Sequence, residues 1–201
     1  MSLELDTVLN NATVYFKKVH GYMQGKPIEG SLLTKIIAAH LLIAMEHHES
    51  IVLLANKSKW MSAFALGRPA YEISIKATWL ALLENENSVQ KALRGLKRNK
   101  DRFPTLEDMS IEIDKALEIK LLQNERAIRR LLNSSAHGGS FMIVRCMTND
   151  KVTPQVAEEE IIALVRATTQ NLLLAALALA HHTSDESLAK GIIADITDYE
   201  G

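Results

Sequence analysis

Apolar residues recur at three- and four-residue intervals along most of the chain, which is the spacing of one face of an α-helix. Polar and turn-forming residues divide this pattern into about seven helical segments. The predicted segments cover about 3–19, 31–56, 59–83, 88–103, 105–133, 153–182 and 184–199. Residues 141–147 fit either a short helix or a strand.

Several residues mark where these helices begin or break. Ser31 and Ser184 are predicted N-caps, because a serine side chain accepts a hydrogen bond from the first turn. Thr153-Pro154 is predicted to open the sixth helix, since proline is favoured at the first helical position. Pro69 lies inside the third segment, so either that helix kinks there or two helices meet.

The whole pattern predicts an all-α, single-domain helical bundle over residues 1–201. Only 9 Gly and 4 Pro are present, too few for the turns of an all-β fold. Residues 1–30 are a candidate N-terminal helical arm, 31–183 the core bundle and 184–201 a C-terminal helix. Residues 171–180 are apolar on every side, so this helix is central or is covered by a second subunit. The second option predicts a homodimer.

Composition sets the expected compartment. The chain has 23 Lys and Arg against 24 Asp and Glu, so its bulk charge gives no support for nucleic-acid or membrane affinity. The single cysteine, Cys146, cannot form an internal disulfide, and the longest apolar run, 172–180, is too short to span a bilayer. We therefore expect a cytoplasmic protein that does not contact a membrane.

The second helix carries histidines on its apolar face. Eight residues fall in this stripe: Ile36, Ile37, His40, Ala44, His47, His48, Ile51 and Ala55. Glu46 and Glu49 fall on the opposite side, so carboxylates do not join the histidines as metal ligands. We interpret the histidines as core-edge residues with satisfied hydrogen bonds, and expect no metal and no cofactor. The alternative is a metal enzyme that uses His40, His47 or His181.

The third helix combines aromatic and charged residues in one stripe, made of Trp60, Phe64, Arg68, Tyr71, Glu72, Ile75 and Trp79. Arg68 and Glu72 are four residues apart, so their side chains meet. One interpretation is an internal ion pair that fixes helix register. The other is a pocket in which Arg68 binds an anion and Glu72 orients it or accepts a proton.

The fourth segment is locally basic, with six cations and one acid between residues 91 and 102. Arg94 and Arg98 lie on its cationic outer face. A solvated surface explains this face. The alternative is a contact surface for a phosphate backbone, because that attraction depends on local charge.

The fifth segment contains the strongest candidate for chemistry. Arg126, Arg130 and Asn133 share one face, which His137 would join if the helix continued. Arg130 and His137 would lie roughly 10 Å apart along an ideal helix axis, and could converge on one phosphate. Histidine transfers protons near neutral pH, and arginine stabilises charge on a phosphoryl group. The plainer interpretation is a polar C-terminal turn with a capping histidine.

The run Arg130-Leu-Leu-Asn-Ser-Ser-Ala-His137 resembles the Arg-x(4–6)-His motif of the HEPN superfamily. This resemblance implies an all-α, commonly dimeric fold and a metal-independent RNase of a toxin–antitoxin or phage-defence system. It also implies that Arg130 and His137 are the catalytic pair, in a cleft shared by two subunits, and that an antitoxin is a candidate partner. Active members usually have a polar residue directly after the arginine, where this chain has Leu131.

A second resemblance spans roughly residues 40 to 145. The chain is similar to a family of uncharacterised bacterial helical proteins that share an Arg-Pro-x-x-Glu helix and a His-Gly-Gly turn. The matching residues here are Arg68-Pro-Ala-Tyr-Glu72 and His137-Gly-Gly139. This resemblance implies that Arg68, Glu72 and His137 belong to one site.

Two functions follow from these observations. The first is a HEPN-like endoribonuclease in which Arg130 and His137 act on RNA that Arg94 and Arg98 position. The second is a non-catalytic binding or dimerisation module, in which Arg68, Glu72 and His137 line a pocket for a small anion or nucleotide or lock a dimer. Asn133 is a further candidate binding residue. The distance of His137 from Arg68, Glu72 and Arg130 would separate them.

Overall fold

The computed structural model describes residues 2–25, 30–83, 103–118, 132, 143–147, 152–153 and 155–200, with side chains up to residue 195. These ranges contain six α-helices and no strand. The helices are α1 Leu3–Met23, α2 Leu32–Asn56, α3 Trp60–Leu83, α4 Leu106–Ala116, α5 Glu158–His182 and α6 Glu186–Glu200. The all-α class is confirmed, with six helices in the described ranges rather than seven. The predicted segment 88–103 lies outside them, apart from Phe103.

The first half of the chain follows the predicted pattern closely. Ser31 is the N-cap of α2, where its side chain accepts a hydrogen bond from the Thr34 N–H at 3.2 Å. Thr105 caps α4 in the same way through the Asp108 N–H. The third helix continues through Pro69 from Trp60 to Leu83, so the interpretation of two separate helices is wrong.

The fifth predicted segment is not one continuous helix. Its first helix, α4, ends at Ala116 with Leu117 as the C-cap, and Leu132 is again helical. Glu118 follows with φ +56°, a left-handed conformation that does not continue a right-handed helix. The helical face predicted to be shared by Arg126, Arg130 and Asn133 lies outside the described residues and stays a prediction.

The sixth helix begins later than predicted, at Glu158 rather than at Thr153. The Thr153 N–H donates to the Cys146 carbonyl at 2.9 Å, so this segment pairs with an earlier part of the chain instead of entering a helix. Ile143 and Val144 are helical, Arg145 and Cys146 form a turn, and a single antiparallel bridge joins Met147 to Val152. The described part of 141–147 therefore begins as helix and ends in an isolated bridge, with no regular strand in it.

An ion pair fixes this turn to α5. Arg145 contacts both carboxylate oxygens of Glu160, with Nη2 2.6 Å from Oε1. The Arg145 hydrogen bond is the main cause that lowers the pKa of Glu160. At the other end of α5, Ser184 has φ +54°, and the Asp185 carboxylate accepts the hydrogen bond from the Leu188 N–H. Asp185 therefore caps α6, and the prediction of Ser184 as its N-cap is wrong.

The helices pack around α5. A three-residue connection, 57–59, joins α2 and α3, which lie along each other and along α5. The helix α1 packs on α5, α2 and α6, and α4 packs on α3. Residues 171–180 are buried except for the half-buried Leu174 and Leu177, so the prediction of a central helix is confirmed. Its burial needs no second subunit, and the homodimer stays a prediction.

The helices α2 and α5 are both long and apolar enough, by length and composition alone, to cross a bilayer. The central helix of a globular bundle passes the same test, and 72% of the apolar window of α5 is buried within the chain. The cytoplasmic location and the absence of membrane contact therefore stay predictions.

Candidate functional site

The candidate site is built on a row of three charged residues on α3, Arg68, Glu72 and Lys76, which we call the α3 charged row. Glu72 accepts a hydrogen bond from Lys76 Nζ at 2.8 Å, whereas Arg68 Nε lies 4.0 Å from the other Glu72 oxygen. The predicted contact between Arg68 and Glu72 exists as a long ion pair. Sequence reasoning missed Lys76, although Glu followed by Lys four residues later is the favoured helical orientation.

The row lies at the border between the core and the surface. The side chains of Arg68, Glu72 and Lys76 are 30%, 35% and 17% exposed. The aromatic residues Phe64, Tyr71 and Trp79 of the same helix are buried. Partial burial strengthens the attraction of these charges for a ligand while leaving them accessible.

Phe103 and α4 enclose the Lys76 end of the row. Lys76 Nζ lies 5.3 Å from the centroid of the Phe103 ring, within the range of a cation–π contact. The Phe103 ring meets Trp79 edge-on at 6.3 Å. Trp79 Nε1 donates to Glu112 Oε2 on α4 at 2.6 Å. These contacts hold Phe103 and α4 against the Lys76 end of α3.

Leu132 lies at the Arg68 end of the row. Its side chain is 2% exposed and packs directly on Gly67. A Cβ atom added to Gly67 would lie 2.4 Å from Leu132 Cδ2 and 2.7 Å from Leu164 Cδ1 of α5. Through Leu132, the chain therefore contacts α3 at Gly67, the residue that precedes Arg68 in the sequence.

The remaining predicted site residues lie outside the described residues. They are Arg94, Arg98, Arg130, Asn133 and His137. The roles assigned to them, and to Arg68 and Glu72 in binding, stay predictions.

Comparison with known proteins places the chain in a family. Residues 41–201 match a family of unknown function, DUF6988. The chain belongs to DUF6988. No curated protein and no solved structure matches it. The DUF6988 region begins within α2 and contains every predicted site residue. Because the family has no known function, the resemblance to the HEPN superfamily stays a prediction.

His40, on α2 just before the DUF6988 match begins, is close enough to the α3 charged row to feel the charge of Lys76. Its Nδ1 lies 2.8 Å from the Ile36 carbonyl oxygen. Burial lowers the pKa of His40, the Ile36 hydrogen bond opposes this, and the charge of Lys76 lowers the pKa further. This histidine is half-buried, as predicted for the edge of the core.

His48 occupies the core rather than its edge, which corrects the prediction. Its side chain is 1% exposed and stacks at 6.4 Å from the ring of Phe16 on α1. Nδ1 lies 3.3 Å from Thr168 Oγ1 on α5, and Nε2 has no hydrogen-bond partner among the described residues. Burial lowers the pKa of His48 to about 4, although the nearby Ala12 carbonyl acts in the opposite direction.

The described residues do not form a metal-binding site. No group of three His, Cys, Asp or Glu side chains in these ranges could hold an ion. Glu46 and Glu49 are exposed on the face away from the buried His48, as predicted. His182 Nε2 lies 3.3 Å from Thr34 Oγ1, and its neighbour His181 is exposed.

A shallow groove between α1 and α5 was not predicted. Its volume is about 520 Å³, and Leu3, Val8 and Arg166 are among its lining residues. Arg166 pairs there with Glu4 at 3.1 Å, and both side chains are at least half exposed. This exposed pair serves as a control for Arg68 and Glu72, because it is also an ion pair between an arginine and a glutamate but lies in another part of the bundle.

Proposed function

We propose that this DUF6988 protein is a HEPN-like, metal-independent endoribonuclease, and that Arg68 of the α3 charged row binds a phosphate of its RNA substrate. The packing of Leu132 on Gly67 carries the proposal. Leu132 follows Arg130 by two residues and precedes His137 by five, while Gly67 is the neighbour of Arg68. The contact therefore joins the two parts of the chain that the sequence assigns to one site.

Covalent geometry limits how far the motif residues lie from this contact. Consecutive Cα atoms are about 3.8 Å apart, so the Arg130 Cα is within about 8 Å of the Leu132 Cα and the His137 Cα is within about 19 Å. These limits hold for any conformation of the backbone. They support a site in which Arg68 and Arg130 face one phosphate.

In the proposed reaction, His137 accepts the proton of a ribose 2′-hydroxyl. The 2′-oxygen attacks the adjacent phosphorus, the bond from phosphorus to the 5′-oxygen breaks, and the leaving 5′-oxygen takes up a proton. The products are a 2′,3′-cyclic phosphate and a 5′-hydroxyl. Arg130 and Arg68 stabilise the charge that develops on the phosphoryl oxygens.

The row also separates the roles of its members. Glu72 accepts a hydrogen bond from Lys76 at 2.8 Å and is four residues from Arg68, which favours an orienting role over proton transfer. Proton transfer is then assigned to His137, because imidazole exchanges protons near neutral pH. Arg94 and Arg98 would position the strand, in a cytoplasmic bacterial homodimer that an antitoxin partner could control.

The test is cleavage of a panel of structured and unstructured RNAs by the purified protein, with and without EDTA. We expect cleavage in EDTA, and its loss in His137→Ala and Arg130→Ala. Arg166→Ala is the matched control, because Arg166 also pairs with a glutamate on a helix but belongs to the α1–α5 groove. Intact RNA under all conditions, or cleavage unaffected by His137→Ala, would contradict the proposal.

A non-catalytic module is the second candidate, favoured by Leu131 directly after Arg130. In this case the row, with two cations and one carboxylate, binds a small anion or a nucleotide without changing it. A thermal-shift screen with inorganic phosphate, nucleotides and small organic acids tests it. We then expect stabilisation that Arg68→Ala removes and Arg166→Ala does not, together with intact RNA.

A further inference from the structure

One face of α2 is exposed along the whole helix, and we call it the α2 outer face. Its positions are separated alternately by three and four residues, the spacing with which one helix packs along another. They are Leu32, Lys35, Ala39, Leu42, Glu46, Glu49 and Leu53. Leu42 and Leu53 are 54% and 57% exposed, and Ile43 extends the apolar surface beside Leu42.

This face is more apolar than the surface of a helix that only closes a bundle. The apolar window of α2 has a mean hydropathy of 1.3, yet 44% of it is buried, compared with 72% for α5. The helices α1, α3 and α5 pack on the other faces of α2. Contiguous exposed apolar side chains mark interaction surfaces, so the α2 outer face is suited to a partner.

The order of the side chains on this face matches its own reverse. Lys35 and Glu49 each lie seven residues from Leu42, on opposite sides of it. Leu32 and Leu53 lie ten and eleven residues from Leu42. If two copies of α2 pack antiparallel around Leu42, Lys35 of each copy lies level with Glu49 of the other. Leu32 and Leu53 then meet at both ends, offset by about 1.5 Å, one helical rise.

We propose that the α2 outer face binds the same face of a second copy of this chain, antiparallel, with the two-fold axis at Leu42. Such a self-complementary contact is typical of symmetric dimers. A parallel pairing would instead oppose Lys35 to Lys35 and Glu49 to Glu49, and like charges repel. The inference rests on the proposed function in that it supplies the surface of its homodimer, although its test needs no RNA.

A lipid surface fits this face less well than a second copy does. Glu46 and Glu49 lie between Leu42 and Leu53, where lipid would desolvate both carboxylates without supplying an opposite charge. A second copy supplies Lys35 at the level of Glu49. Neither Lys35 nor Glu49 forms an ion pair with another described residue, so both charges are open to a partner.

The contact is long but narrow. The face extends about 32 Å from Leu32 to Leu53 on an ideal helix and is one helix wide. It is smaller than a standard interface, which buries about 800 Å² on each partner. We therefore expect a reversible dimer with a dissociation constant in the micromolar range.

Analytical ultracentrifugation of the full chain at about 1–100 µM tests the dimer. We expect Leu42→Glu to raise the dissociation constant at least about 100-fold, because two carboxylates would meet at the two-fold axis. Val14→Glu is the matched control, since Val14 is 48% exposed on α1, away from the α2 outer face. It should leave the dissociation constant unchanged. Circular dichroism checks that both variants are folded.

Charge reversal tests the antiparallel register. Lys35→Glu alone and Glu49→Lys alone each place like charges in both symmetric pairs, and each should raise the dissociation constant about tenfold. The double variant Lys35→Glu/Glu49→Lys restores opposite charges in an antiparallel dimer and should recover the wild-type value. A double variant no better than the single variants would overturn the register.

Cross-linking gives a second measure of the register. Cys146 is the only cysteine, so Cys146→Ser provides a background without thiols. In that background a short bis-maleimide should join two copies through Leu42→Cys. It should not join them through Leu32→Cys, because the two Leu32 positions are about 30 Å apart in the antiparallel dimer. The reverse result would indicate a parallel pairing and overturn the inference.

The outcomes separate this inference from the proposed function. A wild-type protein that is monomeric at about 100 µM would overturn the inference, and binding of that monomer to anionic lipid vesicles would assign the face to a membrane. A dimer that survives Leu42→Glu would also overturn it, because another surface must then hold the dimer. If the dimer depends on Leu42 but no RNA is cleaved, the proposed function fails and the inference stands. If a monomer cleaves RNA, the reverse holds.

Discussion

The two histidines His40 and His48 of α2 lie in opposite environments, one at the border of the core and one inside it. On the side that faces α1 and α5, His48 is fully enclosed, and its pKa is lowered to about 4. Toward α3, His40 is half-buried beside the charged row, where Lys76 and Glu72 remain paired at 2.8 Å. A ligand can approach charges on the second side only. The comparison teaches that the position of a polar residue in the bundle, more than its type, decides whether it is available for function.

The physical reason is the difference in hydration. A group without a charged partner in the core avoids the large cost of desolvation by becoming neutral, as the lowered pKa of His48 indicates. Groups at the border keep their charges, because water and an opposite charge both remain within reach. The following predictions test this comparison, from the largest expected effect to the smallest.

The largest effect concerns His48 and pH. Its folded-state pKa of about 4 lies below the unfolded value of 6.5, so the unfolded state binds the proton more readily. Stability should therefore fall as the pH decreases from about 6.5 to 4, by about 3 kcal/mol from this residue. His40, whose pKa is also lowered, acts in the same direction. Urea unfolding monitored by circular dichroism at several pH values measures the loss.

His48→Gln is the variant that isolates this contribution. Glutamine does not titrate, so most of the decrease between pH 6.5 and 4.5 should disappear, whatever the stability at neutral pH. A variant with the same pH dependence as the wild-type protein would show that the ring is not held neutral in the core.

The second effect concerns Arg68. We expect Arg68→Ala to raise the KM for RNA about 10- to 100-fold, because a hydrogen bond to a charged group contributes about 1.5–3 kcal/mol. Its unfolding free energy should change by about 1 kcal/mol or less, since the pair with Glu72 is long at 4.0 Å and partly exposed. Steady-state kinetics and chemical denaturation measure the two quantities. An unchanged KM would remove Arg68 from the site, and Arg166→Ala serves as the reference.

The third effect concerns the connection between α2 and α3. Ser58 has φ +53°, a left-handed conformation that disfavours every residue with a Cβ atom. Ser58→Gly should stabilise the protein by about 1 kcal/mol and raise Tm by about 2–4 °C, with no change at the charged row. Ser62→Gly, at an exposed position inside α3, should lower Tm instead. Calorimetry measures the Tm of both variants. A lower Tm for Ser58→Gly would show that the left-handed backbone at Ser58 does not strain the protein.

The smallest effect concerns Lys76 and His40. Because the charge of Lys76 contributes to the lowered pKa of His40, Lys76→Met should raise that pKa. Titration of the histidine ring protons by NMR measures the change. Lys190→Met, on the exposed face of α6, should leave His40 unaffected. No change in Lys76→Met would mean that α2 and the row are electrically independent.

Local patterns predicted much of the architecture. The α2 stripe and its Ser31 cap follow from residues within a few positions of each other. For α3, the same reasoning left one helix or two open at Pro69, and the structure has one. The apolar spacing around Leu117 predicted a longer fifth helix, but no nearby residue type signals the left-handed Glu118. Thr153-Pro154 has the form of a helix start, yet the Thr153 N–H bonds to Cys146 instead.

The candidate site divides in the same way. The ion pair of Glu72 with Lys76 follows from their spacing of four residues, although the predicted pair was Arg68 with Glu72. The meeting of Gly67 with Leu132 and Leu164 joins positions far apart in sequence, and no periodicity encodes it. The edge-on packing of Phe103 on Trp79 is likewise a tertiary contact.

The two tryptophans give the protein its own optical reporter. Trp79 is hydrogen-bonded to Glu112, packs on Phe103 and lies about one helical turn beyond Lys76. Trp60 is at the opposite end of α3, where its indole N–H donates to the Ala55 carbonyl of α2. Emission from Trp79 therefore senses the environment of the charged row, and Trp60 provides an internal reference. Occupancy of the row can be followed by intrinsic fluorescence in unlabelled protein, with Trp60→Phe and Trp79→Phe to assign the signal.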